Sequence, residues 1–298
     1  VSASGSLLSL LAAIPFVATL LLGVQIRVAY LSEVVRNPRP LCVGLAGQLL
    51  LLPLLATAFF YVYPAPAAIG VGWWVLAAVP GGAFSNTFTF IGRGRLPLSV
   101  VLTACSTLAG VVTIPTWVAV AGSLAGDGMA RSLPVSRMVA GSFAILVVPL
   151  VIGIAIGTLR PSLAARLEKP TRRLLVVFIV IGGVVWTAQR WEQIALDFSL
   201  AALLGAASFH AAAFLGGWSA ARGFGLGRPD AFTIGIEVGV QNVVVALLIL
   251  EVMGRGDLVP VIGYYMMATV LMAFVWVMLF GSRAEGVEAA APEALGSA

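Results

Sequence analysis

Glu237-Val238-Gly239-Val240-Gln241-Asn242 interrupts a predominantly apolar run over residues 229–252. A helix of that length is long enough to cross the hydrocarbon core of a bilayer. Glu237 stands eight residues after Pro229 and so falls near mid-membrane. A carboxylate at that depth costs on the order of 2.5–3.5 kcal/mol even on lenient scales. A cation, a proton or a paired base must offset that cost, and no lysine or arginine is expected at comparable depth. Pro80-Gly81-Gly82, followed by Ser85-Asn86, interrupts a second apolar run in the same way. Proline removes a backbone donor, and glycine lowers the cost of unwinding. In hydrocarbon the freed backbone groups need protein, ions or cavity water as partners. Two such breaks predict a buried site or cavity at their level.

The rest of the chain frames these breaks as parts of an all-α polytopic membrane protein. Of its 298 residues 60% are hydrophobic and 10% charged, with mean hydropathy +1.07. Soluble domains carry about 25% charged residues, so the composition argues against a soluble enzyme. The 33 glycines and 16 prolines fit membrane helices. Crossing helices are predicted at 7–28, 40–63, 65–91, 96–123, 136–159, 171–189, 194–220, 229–252 and 258–280. The first segment has no basic flank or A-x-A site and reads as a retained helix, not a cleaved signal. The net charge of +5 is spread over short loops without an aromatic stripe, which argues against nucleic acid. Cys42 and Cys105 lie in apolar helices and indicate no disulfide framework. Trp73-Trp74, Trp186 and Trp191 read as an outer-interface belt.

With the N-terminus outside, thirteen of the 17 basic residues fall in inner loops, which favours N-outside and C-inside, in a bacterial inner membrane. The two broken helices are five positions apart in an alternating chain and so run in opposite directions. That is the pattern of inverted repeats with matching discontinuous helices. The halves are placed at residues 1–124 and 125–281, with 282–298 a disordered cytoplasmic tail.

Hard oxygen donors gather around the breaks, as a sodium site requires. One group is Ser85, Asn86, Ser99 and Thr103 with Glu237, where Ser99 and Thr103 share a helix face. The other is Gln48, Gln241 and Glu237 with the carbonyls of Val238 and Val240. Ser106, Thr107, Thr113 and Thr116 are assigned to the ordinary bond with a carbonyl four residues back.

These residues resemble a known family. Pro80-Gly81-Gly82 with Ser85-Asn86, then Leu98-Ser99, Thr103 and Ser106-Thr107, is similar to the signature of bile acid:sodium symporters. Glu237-Val238-Gly239 with Gln241-Asn242 resembles its second signature, and Gln48 followed by Pro53 its glutamine-bearing helix. The likeness runs from about residue 16 to 280. It implies a nine-helix form with panel and core domains, broken helices crossing in the core, and two sodium ions. Carried over, one ion would take Ser85, Asn86, Ser99, Thr103 and Glu237, and the other Gln48, Glu237, Val238, Val240 and Gln241. The cargo implied is an organic anion, bile acid-like or a small carboxylate. The chain departs from the family at Gly94-Arg95, and at Ala83-Phe84, where a polar residue is common.

The half-helix N-termini near Ala83, Phe84, Ser85 and Asn86, and near Asn242, Val243 and Val244, carry partial positive charge and suit a carboxylate or sulfonate. His210, the sole histidine, reads as an interhelical hydrogen bond or a cavity wall, with proton coupling as its rival role. The partners expected are sodium, the anion and the lipid bilayer, with no obligate protein partner. A cation/proton exchanger built on Glu237 and a sodium-independent anion permease are the alternatives. An arsenite-type permease would favour a cysteine at the first break, and Cys105 lies well after it. No acid–base pair is visible at depth, so an enzyme is not expected.

Overall fold

The computed structural model describes residues 3–63, 67–125, 134–167, 170 and 199–281. Among them the chain is helical, and the one extended pairing is a single antiparallel bridge between Gly81 and Gln241. The helices are α1 (Ala3–Gln25), α2 (Val28–Arg36), α3 (Arg39–Val62), α4 (Ala67–Ala78), α5 (Ala83–Ile91) and α6 (Leu96–Ala125). They continue with α7 (Val135–Leu159), α8 (Leu200–Gly223), α9 (Arg228–Gly239), α10 (Val243–Met253) and α11 (Val259–Phe280). The expected crossing at 171–189 and the tail 282–298 lie outside the described residues. Large apolar side chains on the perimeter, among them Leu50, Leu54, Val112, Leu271 and Met278, are exposed, as a lipid-facing surface requires.

The linker expected between the first two crossings is not a loop. Residues 28–36 form α2, whose axis turns 73° from that of α1. Val34 is buried while Glu33 and Arg36 stay exposed, and Pro38 follows its end. Its nine residues are too few to cross the hydrocarbon core alone, and one apolar and one charged side suit a boundary.

The helices α3 and α7 each widen into a π turn, at Gly47–Leu51 and Phe143–Val147, just ahead of Pro53 and Pro149. A proline inside a helix lacks its donor and crowds the carbonyl four residues back. That carbonyl belongs to Leu49 or Ile145, inside the widened turn, where π bonding relieves the clash. Gln48 is carried on the first of these turns.

Two groups of helices result. The backbones of α1 and α7 meet at Gly23 and Gly153, where a Cβ on Gly153 would stand 2.2 Å from the Leu20 carbonyl oxygen. Small residues permit such approach in lipid, where helix pairing relies on close packing. Of the other long helices, α3, α6, α8 and α11 pack on α4 or α9, while α10 packs against α1, α11 and α4. Residues 231–239 of α9 are all buried, which makes it the centre of the bundle.

Trp73 and Trp74 overturn the expectation of an interfacial belt. They are 1% and 3% exposed, inside the protein. Trp73 stacks on Phe209 at 5.1 Å and Trp74 packs against Trp117 at 5.6 Å. Both ride on α4, which is covered by α3 on one side and α6 on another. Trp186 and Trp191 lie outside the described residues.

Candidate functional site

The first broken helix stops at Ala78 and resumes at Ala83, and the second stops at Gly239 and resumes at Val243. The second break is later than the sequence implies. Glu237 is still in the last helical turn, because Val240 N donates to Ile236 O at 2.8 Å. The two interruptions cross and share main-chain bonds. Gly81 pairs with Gln241, and Asn242 N donates to Pro80 O at 3.0 Å. Each break thus supplies part of what the other has lost, as buried backbone groups demand.

Glu237 is wholly buried beside this crossing. Ser99 Oγ, on α6, lies 2.5 Å from Glu237 Oε1 and 2.7 Å from Asn86 Oδ1. Thr103 Oγ1, one turn further along, donates to Glu237 Oε2 at 2.8 Å. Ser85 also faces the carboxylate, and its hydroxyl donates to Gly82 O at 2.7 Å. A Cβ on Gly81 would stand 2.9 Å from Glu237 Oε2 and 3.3 Å from Gln48 Nε2, so only glycine lets the first break lie this close.

The count of protons against lone pairs is unbalanced. Ser99 has one proton for two acceptors, the proton of Thr103 goes to the carboxylate, and that of Ser85 goes to Gly82 O. No basic side chain pairs with Glu237 among the described residues. The cluster is rich in oxygen lone pairs and poor in positive charge.

A second group gathers at the main chain of Glu237 and Val238. Gln48 Nε2 donates to Glu237 O at 2.9 Å, and Gln241 Nε2 donates to Val238 O at 2.8 Å. Gln48 Oε1 and Gln241 Oε1 are buried and have no donor among the described residues. Amide oxygens beside backbone carbonyls are hard donors of the kind a hard cation coordinates.

The substrate candidates divide. Phe84 is exposed at the start of α5, and Ser85 and Asn86 are buried behind it. Asn242 Oδ1 accepts from Val245 N at 3.2 Å and so caps α10, which commits its oxygen to the helix. Val243 and Val244 are half-buried. His210 is wholly buried within α8, with Nδ1 3.2 Å from Thr269 Oγ1, and lines no open surface.

At one end of the bundle Arg95 joins the turn between α5 and α6 to α2 and α9. Its Nε is 2.9 Å from Glu33 Oε1 on α2, its Nη1 is 3.1 Å from Asp230 Oδ1 on α9, and its backbone nitrogen donates to Thr233 Oγ1 at 2.8 Å. Burial works against the charge of Arg95, but the hydrogen bonds and fields of Glu33 and Asp230 outweigh it and raise its affinity for the proton. The other end of α10 is marked by Val252, which lines a small pocket with Arg137.

Two residues hold the breaks in ways the sequence reading did not give: Thr113 was assigned another bond and Tyr265 was not singled out. Thr113 Oγ1 does not bond four residues back. It donates to Ala78 O, the end of α4, at 3.3 Å. Tyr265, on α11, donates its hydroxyl to Gly239 O. Thr107 and Thr116 do bond four residues back, at 2.6 and 2.7 Å, and Ser106 bonds three back. A tyrosine with a threonine one turn on, in an otherwise apolar helix, was the signal available for Tyr265.

A profile of the sodium bile acid symporter family matches residues 14–196, and the chain belongs to that family. It is 26% identical over 245 residues to the P3 protein of Homo sapiens, covering 82% of this chain and 51% of that protein. It is 26% identical over 277 residues to the probable chloroplastic sodium/metabolite cotransporter BASS5 of Oryza sativa subsp. indica, covering 88% of this chain and 66% of that one. The match to the probable chloroplastic sodium/metabolite cotransporter BASS6 of Arabidopsis thaliana is 27% over 265 residues, covering 84% and 63%. The chain spans about half the length of the P3 proteins it matches.

Proposed function

We propose that this protein is a sodium-coupled symporter of organic anions, bile acid-like or small carboxylates, that works by alternating access. The observation that carries the reading is the oxygen-rich crossover around the buried Glu237, where the described residues supply neither a basic partner for the carboxylate nor donors for two amide oxygens. The family and the cotransporter relatives point the same way.

In this reading one sodium is held by Ser85, Asn86, Ser99, Thr103 and Glu237. The other is held by Gln48, Gln241, Glu237 and the carbonyls of Val238 and Val240. Glu237 serves both, so one buried negative charge faces two cations. The carbonyl-rich ends of α4 and α9 favour cations, and the N-termini of α5 and α10 favour an anion. The anion therefore meets the exposed face around Phe84 and the half-buried Asn242, Val243 and Val244. Sodium orders the crossover and adds positive field. Substrate then binds better to the loaded protein, and linkage requires the converse.

Residues 1–124 and 125–281 act as inverted repeats. The pair α1 and α7 belongs to the panel, and the helices around the crossover form the core that moves against it. The N-terminus faces out and the C-terminus faces the cytoplasm. Two sodium ions with one monoanion carry net charge inward, so a potential of 100 mV contributes about 2.3 kcal/mol per charge.

The test is uptake of a radiolabelled bile acid and, separately, a radiolabelled small monocarboxylate into proteoliposomes, with sodium or choline outside. Uptake that collapses in choline supports the reading. Equal uptake in both salts rejects sodium coupling in favour of a sodium-independent permease. Sodium-driven proton movement without any organic anion identifies an exchanger.

A further inference from the structure

A helix that stops inside a protein leaves its last carbonyls without donors. Gly239 O is such a group. The nitrogen four positions on, Val243 N, bonds to Gln241 O at 3.0 Å instead. The hydroxyl of Tyr265 fills the gap, and Tyr265 is wholly buried. Behind it stands Thr269, one turn further along α11, whose hydroxyl meets His210 Nδ1 at 3.2 Å. The His210 ring lies 5.8 Å from that of Tyr265. The first break is closed by the same device, with Thr113 of α6 donating to the last helical carbonyl of α4 at 3.3 Å. In each case the hydroxyl comes from the helix that follows the broken one in the chain. The tyrosine therefore acts on the end of α9 that bears the Glu237, Val238 and Val240 carbonyls, two of which already hold the Gln48 and Gln241 amides.

We propose that Tyr265, backed by Thr269 and His210, is a positioning residue for sodium: by tethering Gly239 O it fixes the broken end of α9 and sets the affinity of the second ion. This rests on the sodium reading above. Groups that orient metal ligands from behind change metal affinity by about 10–100-fold when removed. Polar glue between helices, the structural role Tyr265 would otherwise have, changes stability alike with and without the ion.

The experiment uses the full chain in detergent, with 22Na equilibrium binding and thermal unfolding in sodium or choline chloride. The variants are Tyr265→Phe, Thr269→Val and, as a destabilised control away from the crossing, Leu150→Ala. Wild type is expected to bind with a Hill coefficient approaching about 2, the number of sites. Tyr265→Phe should raise half-saturating sodium about tenfold and bring the coefficient towards about 1. Thr269→Val should shift the curve in the same direction by less. Leu150→Ala should melt earlier with an unshifted sodium curve. A Tyr265→Phe curve that superimposes on wild type overturns the proposal. Should that variant fail to fold, an unshifted Thr269→Val curve overturns it. Wild type that binds no sodium overturns the sodium reading itself, a result distinguishable from failure of the positioning role alone.

Discussion

Glu237→Gln keeps the size of the side chain and removes its charge. Without sodium, the wild-type carboxylate is wholly buried and holds two hydroxyl contacts at 2.5 and 2.8 Å. An ion stripped of water loses several kcal/mol even after relaxation, and each hydrogen bond to a charged group returns about 1.5–3 kcal/mol. The two effects are of similar size, so the sodium-free variant should unfold within about 2 kcal/mol of wild type. With sodium the balance changes. Opposite charges ~4 Å apart at an effective dielectric of ~20 attract by ~4 kcal/mol, which is about a thousandfold in affinity. Wild type at sodium about a hundredfold above its Kd gains ~2.7 kcal/mol from one site. The variant should gain close to nothing, because Glu237 faces both proposed ions. The assay is thermal unfolding across a sodium chloride series, with choline chloride keeping ionic strength constant. A sodium-dependent rise in Glu237→Gln as large as that of wild type would refute the assignment.

Two further perturbations test the frame around the site. Gly153→Ala would place a Cβ 2.2 Å from Leu20 O and 2.9 Å from the Gly23 Cα, so α1 and α7 must part. Overpacking of this kind costs about 1–3 kcal/mol, whereas Gly141→Ala, with nothing within 4 Å of its Cβ, should be near neutral. Equal melting temperatures for the two variants would contradict the close pairing. Arg95→Gln should lower stability by about 1 kcal/mol at low salt, given the partial exposure of Arg95 and its partners Glu33 and Asp230. The gap to wild type should narrow in 1 M choline chloride, where the screening length is about 3 Å, and a constant gap would show that the ion pairs contribute nothing.

Much of the frame was legible from local chemistry. Long apolar runs read as membrane helices because each residue contributes its own transfer cost, and Pro80-Gly81-Gly82 reads as a break because proline and glycine act on their own backbone. Glu237 stood out for the same reason, as an isolated charge in an apolar run. The sequence placed the second break three residues early, since helix bonding continues to Val240 N and nothing in Val238 or Gly239 announces its end. Trp73 and Trp74 were misjudged because a tryptophan suits a membrane interface and a protein interior alike, so its place in an apolar helix does not tell which of them it meets.

The sequence by itself determined that this chain is a bundle of membrane helices with two interruptions and one deeply placed carboxylate. Those properties follow from each segment's own length, polarity and backbone. The tertiary structure alone decided that Gly81 pairs with Gln241, that Ser99 and Thr103 reach Glu237, and that Tyr265 holds the end of α9. Ser99 and Glu237 are 138 positions apart. Their meeting depends on how whole helices pack, and no local pattern encodes that packing because it is set by all the helices together.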